Sequence, residues 1–342
     1  MADISSSSTD QHYVPQLLLR GFATAKRKQI YVFDKLRARA FRSSVRNLAC
    51  ERGFYDLPND SAHPEGLDKW LQTLESTTAP IIQSIRTRRT LIHLAPAERQ
   101  WIASFIAVQR VRTRQHREIS SDLNKQIADV LREMGTEPNN VKNFRELTEA
   151  EIRETSIADI PRLALTLLPH ILDKAWLLIA ASPFTPFWIG DHPVVLANNL
   201  NPGDGIRGTL GFGVKGIEIY LPISSDLTLG CLCPTIPEMF AEAKARLIPP
   251  ALRDSRTDDF LEAFTGRTTL QLDPENVKYH NSLQAISAER FVYSIHGEFG
   301  MVQEMLATNP ELARGPRMEM AGRKRAGGEA GREKSAQVVE PK

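Results

Sequence analysis

The feature that most constrains this chain is a change of hydrophobic period near Pro183. Before it, apolar residues recur every three to four positions, the spacing of one helix face. After it they gather into short runs of β-formers separated by Pro and Gly. With no internal repeat in the sequence, this order predicts an α+β fold, in which a layer of long helices from the N-terminal half packs on a mixed β-sheet from the C-terminal half.

In the first half, Leu67, Leu71, Leu74, Ile81, Ile82 and Ile85 predict one helix kinked at Pro80, or two short ones. A longer helix is predicted from Pro96 to about Met134, before Gly135, and another from about Ser156 to Ala181, bent at Pro169. Gln29–Asp34 and Ala38–Arg42 read as a hairpin. In the second half, strands are predicted at Phe187–Ile189, Val194–Leu196, Ile217–Leu221, Leu227–Cys233 and Arg290–Ile295. Helices are predicted at Pro237–Leu247, Arg256–Phe264 and Glu275–Ala288.

Composition removes several classes. The chain has 342 residues, 42% apolar and 25% charged, enough for a sizeable core. Its 43 basic and 41 acidic side chains leave a net charge of +2, so bulk charge gives no ground for a nucleic-acid or membrane partner. No apolar run reaches membrane-spanning length, and the Ser-rich, acidic start lacks the order of a signal peptide, so a cytoplasmic location is expected. Cys50, Cys231 and Cys233 are too few for a disulfide framework; the last two fall on one face of a strand and read as small buried hydrophobes. A single domain over residues 11–300 is expected, with residues 1–10 disordered and a largely disordered tail over 301–342.

Three places put polar groups where apolar ones are expected. His12-Tyr13-Val14-Pro15-Gln16-Leu17-Leu18-Leu19-Arg20-Gly21-Phe22 carries His12, Gln16 and Arg20 at intervals of four, with Pro15 setting an extended lead-in before a helical turn. On the long helix, Gln109, Arg112, Thr113 and His116 continue the apolar stripe of Ile102, Phe105 and Ile106, and Glu75 interrupts the stripe of the preceding helix. Such a stripe either lines a pocket or emerges into solvent, and Arg112 is a candidate partner for Glu75. In Trp188-Ile189-Gly190-Asp191-His192-Pro193-Val194, an acid and an imidazole sit between two β-runs, suited to metal ligation or acid–base work, or to a turn that Asp191 caps. Arg86–Arg89 and Arg110–Arg117 offer a surface that a phosphate backbone would fit. Signatures of dinucleotide, Walker, serine-hydrolase and zincin sites are missing, and the glycine-rich stretch from Gly203 to Gly216 lacks the Lys-Ser/Thr ending of a phosphate loop, reading instead as a flexible loop near Asp191.

The opening His12-Tyr13-Val14-Pro15-Gln16, with Leu19, Arg20 and Phe22, resembles the start of a widespread microbial family known as domain of unknown function 4238. The likeness continues at Tyr31 to Lys35, Cys50-Glu51, Phe54-Tyr55, Leu74-Glu75, Phe105 to Gln109, Arg112-Thr113, Leu221 to Ser224, Asn281 and Arg290 to Ser294, spanning roughly residues 11 to 296. Where such proteins usually carry Ser-Asp-Asn-Pro-Val, this chain has Gly190-Asp191-His192-Pro193-Val194, so a role for Asp191 carries over and one for His192 does not. The resemblance brings no activity with it.

Taken together, these positions predict a pocket between helices and sheet built by His12, Glu51, Glu75, Gln109 and Asp191 as catalytic groups, with Gln16, Arg20, Arg112 and His192 binding substrate. Glu51, Glu75 and Asp191 suit a hard divalent cation, Mg2+ or Mn2+, and with the arginines favour metal-assisted phosphodiester hydrolysis, a nuclease-like reaction. The same residues equally suit a non-enzymatic binding or scaffold protein, in which they form a buried salt-bridge and hydrogen-bond network.

Overall fold

The computed structural model describes residues 10–24, 28–56, 66–200, 210–247 and 255–317. The first half of the Gly203–Gly216 stretch and the basic Arg323-Lys324-Arg325 lie outside them. The chain opens with a short strand β1 (Asp10–His12) and one turn of helix α1 (Gln16–Leu19), then the hairpin β2 (Gln29–Asp34) and β3 (Arg39–Ser44), and strand β4 (Cys50–Arg52). Helices α2 (Gly66–Arg88), α3 (Pro96–Val111), α4 (Arg114–Glu133), α5 (Glu149–Ala158) and α6 (Ile160–Leu172) follow. The second half contributes β5 (Ala175–Ala180), β6 (Ile189–Gly190), β7 (Val195–Ala197), β8 (Glu218–Ser224), β9 (Leu227–Leu232), α7 (Thr235–Leu247) and α8 (Ser255–Ala263). Strand β10 (Thr269–Gln271), α9 (Pro274–Ser287), β11 (Phe291–Ser294) and α10 (Gly300–Thr308) complete it.

The α+β class is as expected, but the strands form three sheets rather than one. A five-stranded mixed sheet runs β10-β5-β9-β8-β7, parallel only between β10 and β5. Every residue of β8 and β9 is buried, so this sheet is covered on both faces and forms the middle of the core. An antiparallel sheet, β3-β2-β11-β6, ties the N-terminal hairpin to the C-terminal strands, with Phe291 opposite Asp34 and Val292 opposite Gly190. The third is the ribbon β1-β4, which sets His12 opposite Cys50.

Two further expectations are corrected. The helix read from Pro96 to Met134 is two helices, α3 and α4, broken at Arg112 and Thr113, where Thr113 is extended (φ −91°, ψ 162°). The helix read to Ala181 ends at Leu172, and Ala175 to Ala180 is instead the strand β5, buried from Trp176 onward. A short continuous apolar run has the same appearance in a buried helix and a buried strand, so periodicity could not separate them. At the C-terminus, α10 packs Val302 beside Phe299, Phe33 and Trp188 in a second small core, so the ordered fold extends past residue 300.

Pro80 is accommodated within a continuous α2. The helices of the first half then close on the sheet: α3 packs between α2 and α6, while α1 and α2 both lean on β8. That last contact is close. A Cβ on Gly21 would lie 2.5 Å from the carbonyl oxygen of Ile223 and 2.9 Å from Cα of Ser224. The backbone approach is pinned by Arg86, whose Nε donates to Ile223 O (2.8 Å) and Nη2 to Leu17 O (3.0 Å). Because two of the obstructing atoms are main-chain and the third is Nη2 of the Arg86 that pins them, 2.7 Å away, Gly21→Ala is expected to lower stability by about 2 kcal/mol, read as a fall in the denaturant midpoint with an unchanged slope.

Candidate functional site

The main-chain carbonyls of His12 and Tyr13 in the opening motif are gathered at the break between α3 and α4. With the helix ended at Arg112, that side chain turns inward and is almost wholly buried. Its Nη2 donates to the carbonyl of His12 (3.2 Å) and to Oε1 of Glu75 (2.7 Å), and its Nε donates to the carbonyl of Tyr13 (3.4 Å). Gln109, one turn earlier, donates Nε2 to the same Tyr13 carbonyl (2.9 Å). The Tyr55 hydroxyl closes the group by donating to the carbonyls of His12 (3.3 Å) and Arg112 (3.5 Å). Burial pushes that phenol up to about 12, so it stays a donor. The His12 ring faces Arg46 O at 3.2 Å, which places a proton on Nε2; burial depresses its pKa, with Arg112 adding to the depression and Glu75 opposing it.

The second motif is held by α9. Asn281 accepts from the amide of Trp188 (2.8 Å) and donates to Pro186 O (3.0 Å), and three residues on Gln284 accepts from Gly190 (2.8 Å) and donates to Pro193 O (2.9 Å). Asp191, buried, uses Oδ1 for the amide of Glu289 (2.6 Å) and Oδ2 for those of Arg290 and Phe291 (2.9 Å each). Burial raises its carboxyl to about 6, while the three amides and the nearby Lys35 ammonium pull it back. Lys35 in turn caps the end of α9, donating to the carbonyls of Ala285 (2.7 Å) and Ala288 (2.6 Å). Its ammonium is pushed down to about 8 by burial.

His192 is also fully engaged. Arg110 Nη1 stands 2.6 Å from its Nε2, and Thr113 Oγ1 stands 2.5 Å from its Nδ1. A guanidinium has no lone pair, so Nε2 accepts and Nδ1 carries the proton. Burial, then Arg110 and His116, hold this imidazole far below its usual range.

The predicted residues therefore divide. His12, Glu75, Gln109 and Arg112 meet in one network; Asp191 and His192 belong to another, with the buried Tyr13 between, its phenol raised by burial and by the charges of Asp191 and Glu51. Glu51 stands at the surface facing Arg114 (3.5 Å), and Gln16 pairs with an exposed Arg20 (3.1 Å), neither joining the two networks. Among the described residues, no three His, Cys, Asp or Glu side chains form a group that could hold a metal ion, so Glu51, Glu75 and Asp191 do not assemble as the ligand set expected above. Of the arginines read as a phosphate surface, Arg86 and Arg112 are bound to main-chain carbonyls, Arg89 pairs with Asp226, and Arg117 covers the Phe54 ring. Lys35, Tyr55 and Gln284 carry as much of this geometry as the residues singled out, and Gln284 was legible: with Asn281 it forms a polar break in the inward stripe of Val277 and Ala285, the same signal that marks Gln109.

These burials fix a pH dependence. His192 and His280 are neutral in the fold, His280 pushed down to about 4, whereas an unfolded imidazole titrates near about 6.5. Their contribution is complete above that value and is lost as pH falls toward 4. Asp191, raised to about 6, acts in the opposite direction over about pH 4 to 6, because the folded state holds its proton more tightly. Denaturation at a series of pH values should show stability falling with acid. Asp191→Asn, which removes the opposing group, should fall more steeply than the parent, by up to about 1.4 kcal/mol per pH unit.

Among the described residues, no helix is long and apolar enough to cross a membrane. No curated protein and no solved structure matches the chain. A family described as "Protein of unknown function (DUF4238)" matches residues 10–297, from the first residue of β1 to just beyond β11, and so contains both networks. The chain is a member of the DUF4238 family.

Proposed function

We propose that this chain is a non-enzymatic binding or scaffold protein, in which Glu75, Gln109, Arg112 and Asp191 form the internal frame that fixes helices to sheet. The observation that carries this reading is that Asp191, His192 and Arg112, the groups a reaction would need most, are already held by the fold, whereas the buried Oε1 of Gln109 has no partner among the described residues. Both oxygens of Asp191 are taken by main-chain amides, and both ring nitrogens of His192 are engaged. The Arg112 guanidinium is committed to two carbonyls and Glu75. A carboxylate filled by amides is a poor metal ligand and a poor base, since either role requires breaking bonds that hold the β6–β7 turn to the start of β11.

The competing reading, a Mg2+- or Mn2+-dependent phosphodiester hydrolase, draws on one specific feature: the Glu75 side chain is 28% exposed, and His12 beside it is half-buried. Thermal melts separate the two. On the scaffold reading, millimolar Mg2+ or Mn2+ leaves the melting temperature of the parent unchanged and gives no turnover of a phosphodiester. Arg112→Met, which strands two buried carbonyls and Glu75, costs about 3–5 kcal/mol. A metal-dependent rise in melting temperature that disappears in Glu75→Gln or Asp191→Asn would overturn the proposal.

A further inference from the structure

Arg110 commits only one of its three guanidinium nitrogens to the fold. It lies in the last turn of α3 and directs Nη1 to His192 Nε2 (2.6 Å) and Val194 O (2.9 Å). Both contacts fall on one nitrogen. Among the described residues, Nε and Nη2 have no acceptor, although together they form the edge of a guanidinium that grips two oxygens at once. The same chain displays what that edge does when a carboxylate is supplied: Arg290 holds Asp34 through Nε to Oδ1 (2.9 Å) and Nη2 to Oδ2 (2.7 Å).

Among the described residues, no acid opposes Arg110. Burial alone depresses it, to about 10, with no carboxylate pulling it back, and it stays charged at neutral pH. Asp159, the acid that acts on neighbouring His116, is itself engaged by Arg162 (Nε to Oδ1, 3.0 Å). The groups around the guanidinium are neutral: His192 by its hydrogen bonds, Thr113 behind it, and His116, whose imidazole burial and Arg110 push down to about 4. The α3 C-terminus offsets part of the charge through its carbonyl dipoles. Arg110 and His116 are each only partly buried, and neither Nε nor Nη2 of Arg110 is among the fully buried polar atoms left without a partner, so the open edge meets solvent.

We propose that the open Nε/Nη2 edge of Arg110, flanked by His116, binds a small oxyanion, the carboxylate or phosphate group of a ligand. The site adjoins the Asp191 and His192 network through Arg110 Nη1 but uses donors that neither network engages, and it does not depend on the scaffold reading. A bound oxyanion supplies the counter-charge that the fold omits and takes both free donors in the geometry Asp34 uses on Arg290.

The test uses the full chain with inorganic phosphate and acetate in separate arms, against chloride at matched ionic strength. Thermal melts are combined with NMR titration of the His116 ring. One or both oxyanions should give a saturable rise of about 3 °C at ten times the dissociation constant, and should move the His116 pKa upward, because negative charge arrives beside it. The arm that responds identifies the group. Arg110→Met should abolish both responses and melt below the parent, since it leaves the buried His192 Nε2 and Val194 O without their donor. Arg110→Lys, which keeps the charge without the fork, should fold and respond more weakly. Absence of any oxyanion effect on melting and on His116 overturns the proposal, as does an equal response in Arg110→Met. A sharp loss of stability in Arg110→Met with no anion response in the parent would make Arg110 a structural clamp on His192 and Val194.

Discussion

The structure depends on a guanidinium placed where a helix stops. Arg112 reaches the carbonyls of His12 and Tyr13 because α3 has ended there, and it brings Glu75 from α2 with it. Three segments distant in sequence are thereby fixed at one point. The charge is expensive to bury, and its pairing with Glu75 does not by itself make the fold more stable than an apolar substitute would. What it provides is direction: five planar donors accept only one arrangement of the surrounding oxygens.

The Asp191 network performs the same task on the other side of Tyr13, with the signs reversed. Here a buried carboxylate gathers amides where Arg112 gathers carbonyls, and Lys35 supplies the counter-charge while closing α9. The N-terminal and C-terminal parts of the described chain meet through this group, since Asp34 ends β2 and Lys35 follows it, and Glu289 and Arg290 lead to Phe291 at the start of β11, which pairs with β2. Arg317 extends the tie, gripping Glu289 at 2.9 and 3.0 Å. That contact holds ordered chain well beyond the last strand.

Much of this was legible in the sequence, and the errors have physical causes. The polar breaks at Glu75, Gln109 and Arg112 were visible because an amide or an ion on an inward stripe contradicts burial, and each is indeed bonded inside. Their purpose was not visible, because a catalytic residue and a framework residue violate the pattern in the same way. The break at Arg112 was missed because it has no Gly or Pro, and Thr113 turns extended under tertiary bonds rather than by its own propensity. β5 was missed because Ala175 to Ala180, apolar throughout, carries no period that separates strand from helix. Lys35 escaped because a lysine after a strand looks like any exposed turn residue until its target, the end of α9, is known.

Arg110 and Arg112 are two residues apart on the same closing turn, and the difference between them separates structure from function. Around Arg112 the fold provides an acceptor for each of the directions it uses, one of them a carboxylate. Around Arg110 it provides an imidazole lone pair and one carbonyl, both on Nη1, and leaves the two-pronged edge facing a place water can reach. A fold that needed Arg110 only as a clamp would be served by a neutral donor, without the desolvated charge. The two neutral imidazoles at His192 and His116 add nothing to offset that charge and are themselves suppressed by it. Completing the electrostatics of this corner takes a group with two oxygens and a negative charge, and the described residues do not contain one in reach.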